Sequence, residues 1–236
     1  MDFLKKHKRF SFQIDGQDAW NLPYKMVSEE DEDKITITYR FENGLSVTNK
    51  AKKHKKYGVY EWVNTIENLS KHSSGILSDF FDCDVELPLG HEENPAWEAY
   101  LPDPKTATKI DAPTGSSWST KEFYCDLDEM QEHSRIHHIA PGESRRYTTS
   151  GGRSSEAHAP FFDISKAEVG YIVAIGWTGQ WLADFSRTND SVIIRTKIED
   201  TSFRLLPGEK IRTSSVMIMP YHGTRSHAHN LWRRFI

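Results

Sequence analysis

Along most of this chain, apolar and polar residues alternate with a period of two. In ITITYRF (35–41), Ile35, Ile37, Tyr39 and Phe41 fall on one face, and Thr36, Thr38 and Arg40 on the other. That is the pattern of a half-buried strand. Asn43-Gly44 then turns the chain into LSVT, and Asn-Gly between alternating runs marks a hairpin. YGVYEWVNTIEN (57–68) alternates again, with Val59, Glu61, Val63 and Thr65 against Tyr60, Trp62, Asn64 and Ile66. GILSDFFDCDVELP (75–88) predicts a long strand stopped by Pro88. Its alternation puts Asp82, Asp84 and Glu86 on one face and Phe81, Cys83 and Val85 on the other. Further strands are predicted over 122–127, 134–140, 144–150, 168–177, 181–187, 191–199, 202–206 and 209–221, with Pro-Gly-Glu, Gly-Gly and Asn-Asp turns between them.

Helical period is confined to SHAHNLWRRFI (226–236). So many strands do not stay in one flat sheet, and two stacked antiparallel sheets are the economical solution. No repeat at fixed period points to a propeller. Two irregular stretches interrupt the strands, 91–120 and TSGGRSSEAHAPFF (149–162). Loops this long inside a compact domain are usually functional. The expected fold class is all-β, a large antiparallel sandwich over residues 1–223, followed by a short helix over 224–236. Leu231, Trp232, Phe235 and Ile236 of that ending need a surface to pack against. They read as the entry to a further domain.

Composition narrows the partners. Twelve Phe, nine Tyr and seven Trp supply core mass in a polar chain of 236 residues and mean hydropathy −0.65. A formal net charge of −4 argues against a nucleic-acid partner bound through its phosphates. The basic run KAKKHKK (50–56) is the local exception. It reads as a solvated edge strand or hairpin end, where Lys blunts edge pairing, with a specific anion site as the alternative. Cys83 and Cys125 make no disulfide framework and are expected to be buried thiols. MDFLKKHKRF has no apolar segment after its charges, so no signal peptide is expected. No apolar run approaches the ~20 residues of a membrane helix. A reducing, cytoplasmic setting is the expectation, with no membrane partner.

Candidate chemistry is sparse. Asp82, Asp84 and Glu86 share a predicted face, and two of them could serve as a glycosidase pair. A solvated sheet face has the same pattern. His137 and His138 are adjacent on a strand and point to opposite faces, so they form no ligand pair. His227 and His229 have no third ligand nearby, whereas zinc needs three or four. No metal or other cofactor is expected. A mutarotase-type aldose epimerase would use a His acid and a Glu base facing one sugar. His137 or His158 with Glu86 would serve, but spacing does not select them. Gly-x-Ser-x-Gly is absent, and GGRSS (151–155) lacks a strand-to-helix turn. The glycines of GWTG and PGE precede no helix, so they form no phosphate loop.

The aromatic and polar loops are the best candidates. Sugars bind on aromatic faces while planar polar groups reach their hydroxyls. The 149–162 loop offers Arg153 and His158 beside Phe161 and Phe162, and IGWTGQW offers Gln180 between Trp177 and Trp181. Arg153, His158, Trp177, Gln180 and Trp181 are therefore the candidate carbohydrate contacts. In the competing reading, which the sequence favours, the two tryptophans cap the core and Gln180 satisfies a turn carbonyl.

GYIVAIGWTGQW (170–181) and LLPGEKIRTSSVMIMPYHGTRSHAHNLWRRFI (205–236) together resemble the amino-terminal region of glycoside hydrolase family 36, the α-galactosidase-like enzymes. The resemblance runs in order through Gly176–Trp181, Leu205 or Leu206 to Glu209, Arg212-Thr213, Tyr221 to Gly223, and Asn230 to Phe235. It covers roughly the last third of the chain. It implies a galactose-mutarotase-like β-supersandwich whose helix leads toward a (β/α)₈ barrel. In such enzymes the two catalytic carboxylates, a retaining pair about 5 Å apart, belong to the barrel, and neither maps onto a residue here. The implied function is non-catalytic, packing on the barrel and shaping its sugar pocket or oligomer interface. The implied partners are that barrel, an α-galactoside-like carbohydrate in the full protein, and further copies in a homo-oligomer. This chain alone would be inactive. The alternatives are a stand-alone aldose epimerase and a carbohydrate-binding module.

Overall fold

The alternating segments pair into two antiparallel sheets. The computed structural model describes Leu4 and residues 8–92, 107–113 and 136–236. Among these, the strands are β1 (Ser11–Ile14), β2 (Gln17–Asp18), β3 (Tyr24–Asp31), β4 (Lys34–Phe41), β5 (Leu45–His54), β6 (Val59–Asn68), β7 (Leu77–Pro88), β8 (Lys109–Asp111), β9 (Ile136–His138), β10 (Ser144–Thr148), β11 (Phe161–Lys166), β12 (Val169–Gly176), β13 (Trp181–Arg187), β14 (Ser191–Ile198), β15 (Ser202–Phe203) and β16 (Lys210–His222). One sheet runs β10-β13-β14-β7-β1-β2, with β15 also pairing β7. The other runs β3-β4-β5-β6-β16-β12-β11-β8-β9. This is the expected all-β sandwich. No helix of the described residues is long and apolar enough to cross a membrane.

The inward faces meet in one core. In β4, Ile35, Ile37, Tyr39 and Phe41 are buried, as their period requires. In β6, Tyr60, Trp62, Asn64 and Ile66 are buried. Phe80 stacks on Phe10 at 5.8 Å and on Phe12 at 5.1 Å. At the other end of the core Phe162, Trp181 and Phe185 pack together. Asn64 is satisfied inside, accepting from Asn49 at 2.7 Å, while Asn49 accepts from buried Arg9 at 2.7 and 3.1 Å. Such a network holds only because each member has a partner.

Strand β12 reads as a continuous apolar run because it is covered on both faces. Tyr171, Val173 and Ile175 face the main core. Ile172 and Ala174 face a second cluster with Val59, Met219, Ala228 and Trp232. The last two belong to helix α1 (Arg225–Phe235), which lies on the outside of the nine-stranded sheet. The Thr224 hydroxyl caps it, accepting from the His227 amide at 3.3 Å, and Arg233 and Arg234 suit its last turn. Leu231, Trp232 and Phe235 thus find a packing surface within the chain, while Ile236 stays exposed.

Three expectations are corrected. In β7, the pairing register with β14 shifts at Asp82, a bulge. Asp82 and Cys83 both turn inward, and Phe81 turns outward beneath Lys197 and Arg195. The three acids therefore do not share a face: Asp84 and Glu86 look outward, and Asp82 is buried. Second, Lys50 to His54 lie in β5, which has β4 and β6 on either side, so this is no edge strand. Lys55 and Lys56 do sit at the hairpin end. Third, residues before 35, where the pattern predicts no strand, supply β1, β2 and β3. Cys83 is a buried free thiol, as expected. Cys125, the predicted strand 122–127 and most of the 91–120 stretch lie outside the described residues.

Candidate functional site

Trp181 opens β13 and is fully buried. Its ring meets Phe162 edge-on at 5.6 Å, and its Nε1 donates to the Ser154 carbonyl at 2.8 Å. That bond pins the 149–160 loop to the core. In the same loop, half-buried His158 meets the Tyr147 ring edge-on at 5.2 Å. His137 approaches that ring too, at 5.8 Å. Burial lowers the pKa of both histidines. It pushes the Tyr147 phenol up to about 12. Arg153 pairs with Glu156 at 2.6 Å at the surface.

The other two candidates lie on the turn between β12 and β13. Gln180 donates to Glu199 at 2.6 Å, and Glu199 also accepts from the Thr148 hydroxyl. Gln180 thus satisfies a carboxylate and not a turn carbonyl. Trp177 is half-buried against the core. Its indole folds back over Gly179, where a Cβ would stand 2.8 Å from its Nε1. The five candidates therefore divide. Arg153, His158 and Trp181 meet around one loop, Gln180 braces the β14 turn, and Trp177 faces a cavity of its own. Glu86 sits on the exposed face of β7, bonded by the Ser191 hydroxyl, while His137 and His158 flank Tyr147.

A constellation that sequence reading passed over lies beneath α1. Asp111 of β8 and Asp163 of β11 are cross-strand partners, and both are buried. Arg225 bridges them, donating from Nη2 to Asp111 at 2.6 Å and from Nε to Asp163 at 3.1 Å. His229 lies 2.7 Å from Asp163 Oδ2, and the Tyr221 hydroxyl donates to Oδ1 at 2.7 Å. Gly170, opposite Tyr221, makes room for that ring, since a Cβ there would collide with it. Burial, and then the Asp163 charge, raise the Tyr221 phenol above the ordinary tyrosine range, so it stays a donor. A groove of about 490 Å³ runs alongside, between α1 and the sheet, with Phe161, Ile172 and Trp232 on its walls.

The chemistry of this cluster is that of a latch. A glycosidase pair needs one carboxylate free to attack and one acid free to donate. Asp163 is engaged by three donors and Asp111 by a guanidinium. The available signal was Arg225 and His229, four apart on one helix face, but their partners lie far away in sequence. Among the described residues, no group of three His, Cys, Asp or Glu side chains could hold a metal ion.

No family model matches the sequence, and no curated protein matches it. Solved structures do match the fold. An α-galactosidase of glycoside hydrolase family 36 from Geobacillus stearothermophilus, AgaA A355E in complex with 1-deoxygalactonojirimycin, superposes with a TM-score of 0.67 at 15% identity, covering 97% of this chain and 32% of that one. The α-galactosidase from Lactobacillus brevis gives 0.66 at 12% identity, covering 98% and 31%. The galactosidase domain of the α-galactosidase-sucrose kinase AgaSK gives 0.61 at 10% identity, covering 93% and 30%. The chain thus spans about a third of the length of these enzymes, their amino-terminal part. Its fold is that of their amino-terminal sandwich.

Proposed function

We propose that this chain is the non-catalytic sandwich of an α-galactosidase-like glycoside hydrolase and works beside a (β/α)₈ catalytic domain. The observation that carries this reading is the fold match, which takes in nearly all of this chain and only a third of each enzyme. The ordered motif series from Gly176 to Phe235 supports it independently. So does the engagement of Asp111 and Asp163, the buried acids that this chain does bring together. The sandwich would help shape the sugar pocket or an oligomer interface through the 149–160 loop, where Arg153 and His158 keep exposed surface. The substrate of the whole enzyme would be an α-galactoside, and the setting cytoplasmic.

The test is to assay the purified chain for two reactions. It should release nothing from an aryl α-galactoside and should not speed the α/β interconversion of galactose. Hydrolysis that follows the protein through purification overturns the reading. Catalysed interconversion would instead favour an epimerase built on His and Glu.

A further inference from the structure

Strand β3 closes one end of the nine-stranded sheet, and among the described residues only β4 pairs with it. Seven of its eight residues are exposed. They include Met26 at 44% and Val27 at 54%, two neighbouring apolar side chains in open solvent. The strand carries no proline and no bulge, since its register with β4 runs unbroken from Tyr24–Phe41 to Asp31–Lys34. Edge strands usually have such a device against pairing with another chain.

The hydrogen-bonding direction of this edge is fixed. The Glu42 amide donates to the Pro23 carbonyl. Residues 23, 25, 27, 29 and 31 therefore turn their backbone groups to β4. Tyr24, Met26, Ser28 and Glu30 turn theirs outward. The side chains of Lys25, Val27 and Glu29 share the outer face of the sheet, away from the core face that holds Tyr39 and Phe41. On that face Lys25 stands opposite Arg40, both exposed, and like charges in that position repel.

We propose that β3 pairs antiparallel with β3 of a second copy of this chain, about a two-fold axis through Val27. Met26 and Ser28 of the two copies then exchange backbone hydrogen bonds, and so do Tyr24 and Glu30. Val27 faces Val27. Lys25 of each copy faces Glu29 of the other, which relieves its repulsion with Arg40. The neighbouring registers lose this match. A shift one way sets Val27 against Glu29, and a shift the other way sets Lys25 against Val27. The contact is isologous, so it closes as a dimer and does not propagate. A single strand pair falls below the ~1,200 Å² of a stable interface, so the dimer is weak and depends on concentration. It uses a different surface from the 149–160 loop, and it holds whether or not the chain serves a catalytic barrel.

The experiment is sedimentation velocity on the 236-residue chain, from about 1 μM to about 1 mM, the span of weak affinities. A reversible monomer–dimer equilibrium should appear. Lys25→Glu sets like charges opposite each other twice and should weaken the dimer about tenfold. Lys25→Glu combined with Glu29→Lys restores both pairs and should recover the parent affinity to within about threefold. Ser28→Pro removes an outward N–H but no bond to β4, and should abolish the dimer. In a Cys125→Ser background, Val27→Cys should give a disulfide-linked dimer with oxidised glutathione, because directly opposed residues of this kind stand within disulfide reach. Lys25→Cys, whose opposite number is Glu29, should not. A chain that stays monomeric throughout overturns the proposal. So does a dimer that Ser28→Pro leaves intact, that the charge swap fails to rescue, or that crosslinks equally well through Lys25→Cys.

Discussion

Arg225 of the terminal helix reaches Asp163 of β11 at 3.1 Å, Nε to Oδ2. The Asp163 side chain is 4% exposed, and its cross-strand neighbour Asp111 takes the other arm of the same guanidinium. One guanidinium therefore bridges two buried carboxylates and fixes the helix to the sheet. Ala228 and Trp232 make the apolar half of the same attachment.

Arg225→Met should release the helix before the sandwich. Breaking a buried pair costs about 3–5 kcal/mol, and the partial exposure of Arg225 reduces this to about 2 kcal/mol. Native-state hydrogen exchange should speed up over 228–235 and stay unchanged in β6 and β16. Uniform exchange across helix and sheet would show that the latch is not local.

Trp181→Ala should cost about 4 kcal/mol, the range for emptying a large aromatic from a core. The neighbouring Gln180→Ala should cost less than about 1 kcal/mol, because its bond to Glu199 is partly exposed. Thermal melts of the two variants compare them directly. Limited proteolysis should also cut the 149–160 loop faster in Trp181→Ala, since the bond to Ser154 is lost.

Gly170→Ala should destabilise by about 2 kcal/mol, because its methyl group meets the Tyr221 ring. Tyr221→Ala in the same chain should recover part of that loss. A double-mutant cycle in urea reads the coupling. Strict additivity would contradict the proposed contact.

Asp82 gives a pH signature. Its folded-state value of about 7 lies above the ordinary aspartate value, so the folded chain holds the proton more tightly than the unfolded one. The stability contributed by neutral Asp82 is complete below about pH 4 and is lost as pH rises through about 7. Against Asp82→Asn, the parent chain should lose on the order of a few kcal/mol across that window. Parallel pH dependences in the two chains would place the proton elsewhere.

What was legible in the sequence follows from what is local. Strands β4 and β6 bury one face, and their alternation shows it. Strand β12 is covered twice and reads as an apolar block. Strand β3 escaped notice because seven of its eight residues are exposed, leaving no apolar face to detect. The bulge at Asp82 depends on register with β14, over a hundred residues away, and no local pattern encodes it. The Asp111–Asp163–Arg225 latch was hidden for the same reason. The Gly-Trp-Thr-Gly turn was visible as a motif. Its physical content, two glycines making room for Ser215 and for the Trp177 indole, needed the fold.

The central claim is that this sandwich serves a larger catalytic assembly. An antibody raised against the chain, used to blot extracts of its source, tests it most directly. The account predicts a polypeptide about three times the 27.2 kDa of this chain, in keeping with the third of each solved enzyme that it matches, carrying α-galactosidase activity after immunopurification. A single species near 27 kDa that purifies alone and without such activity would contradict it.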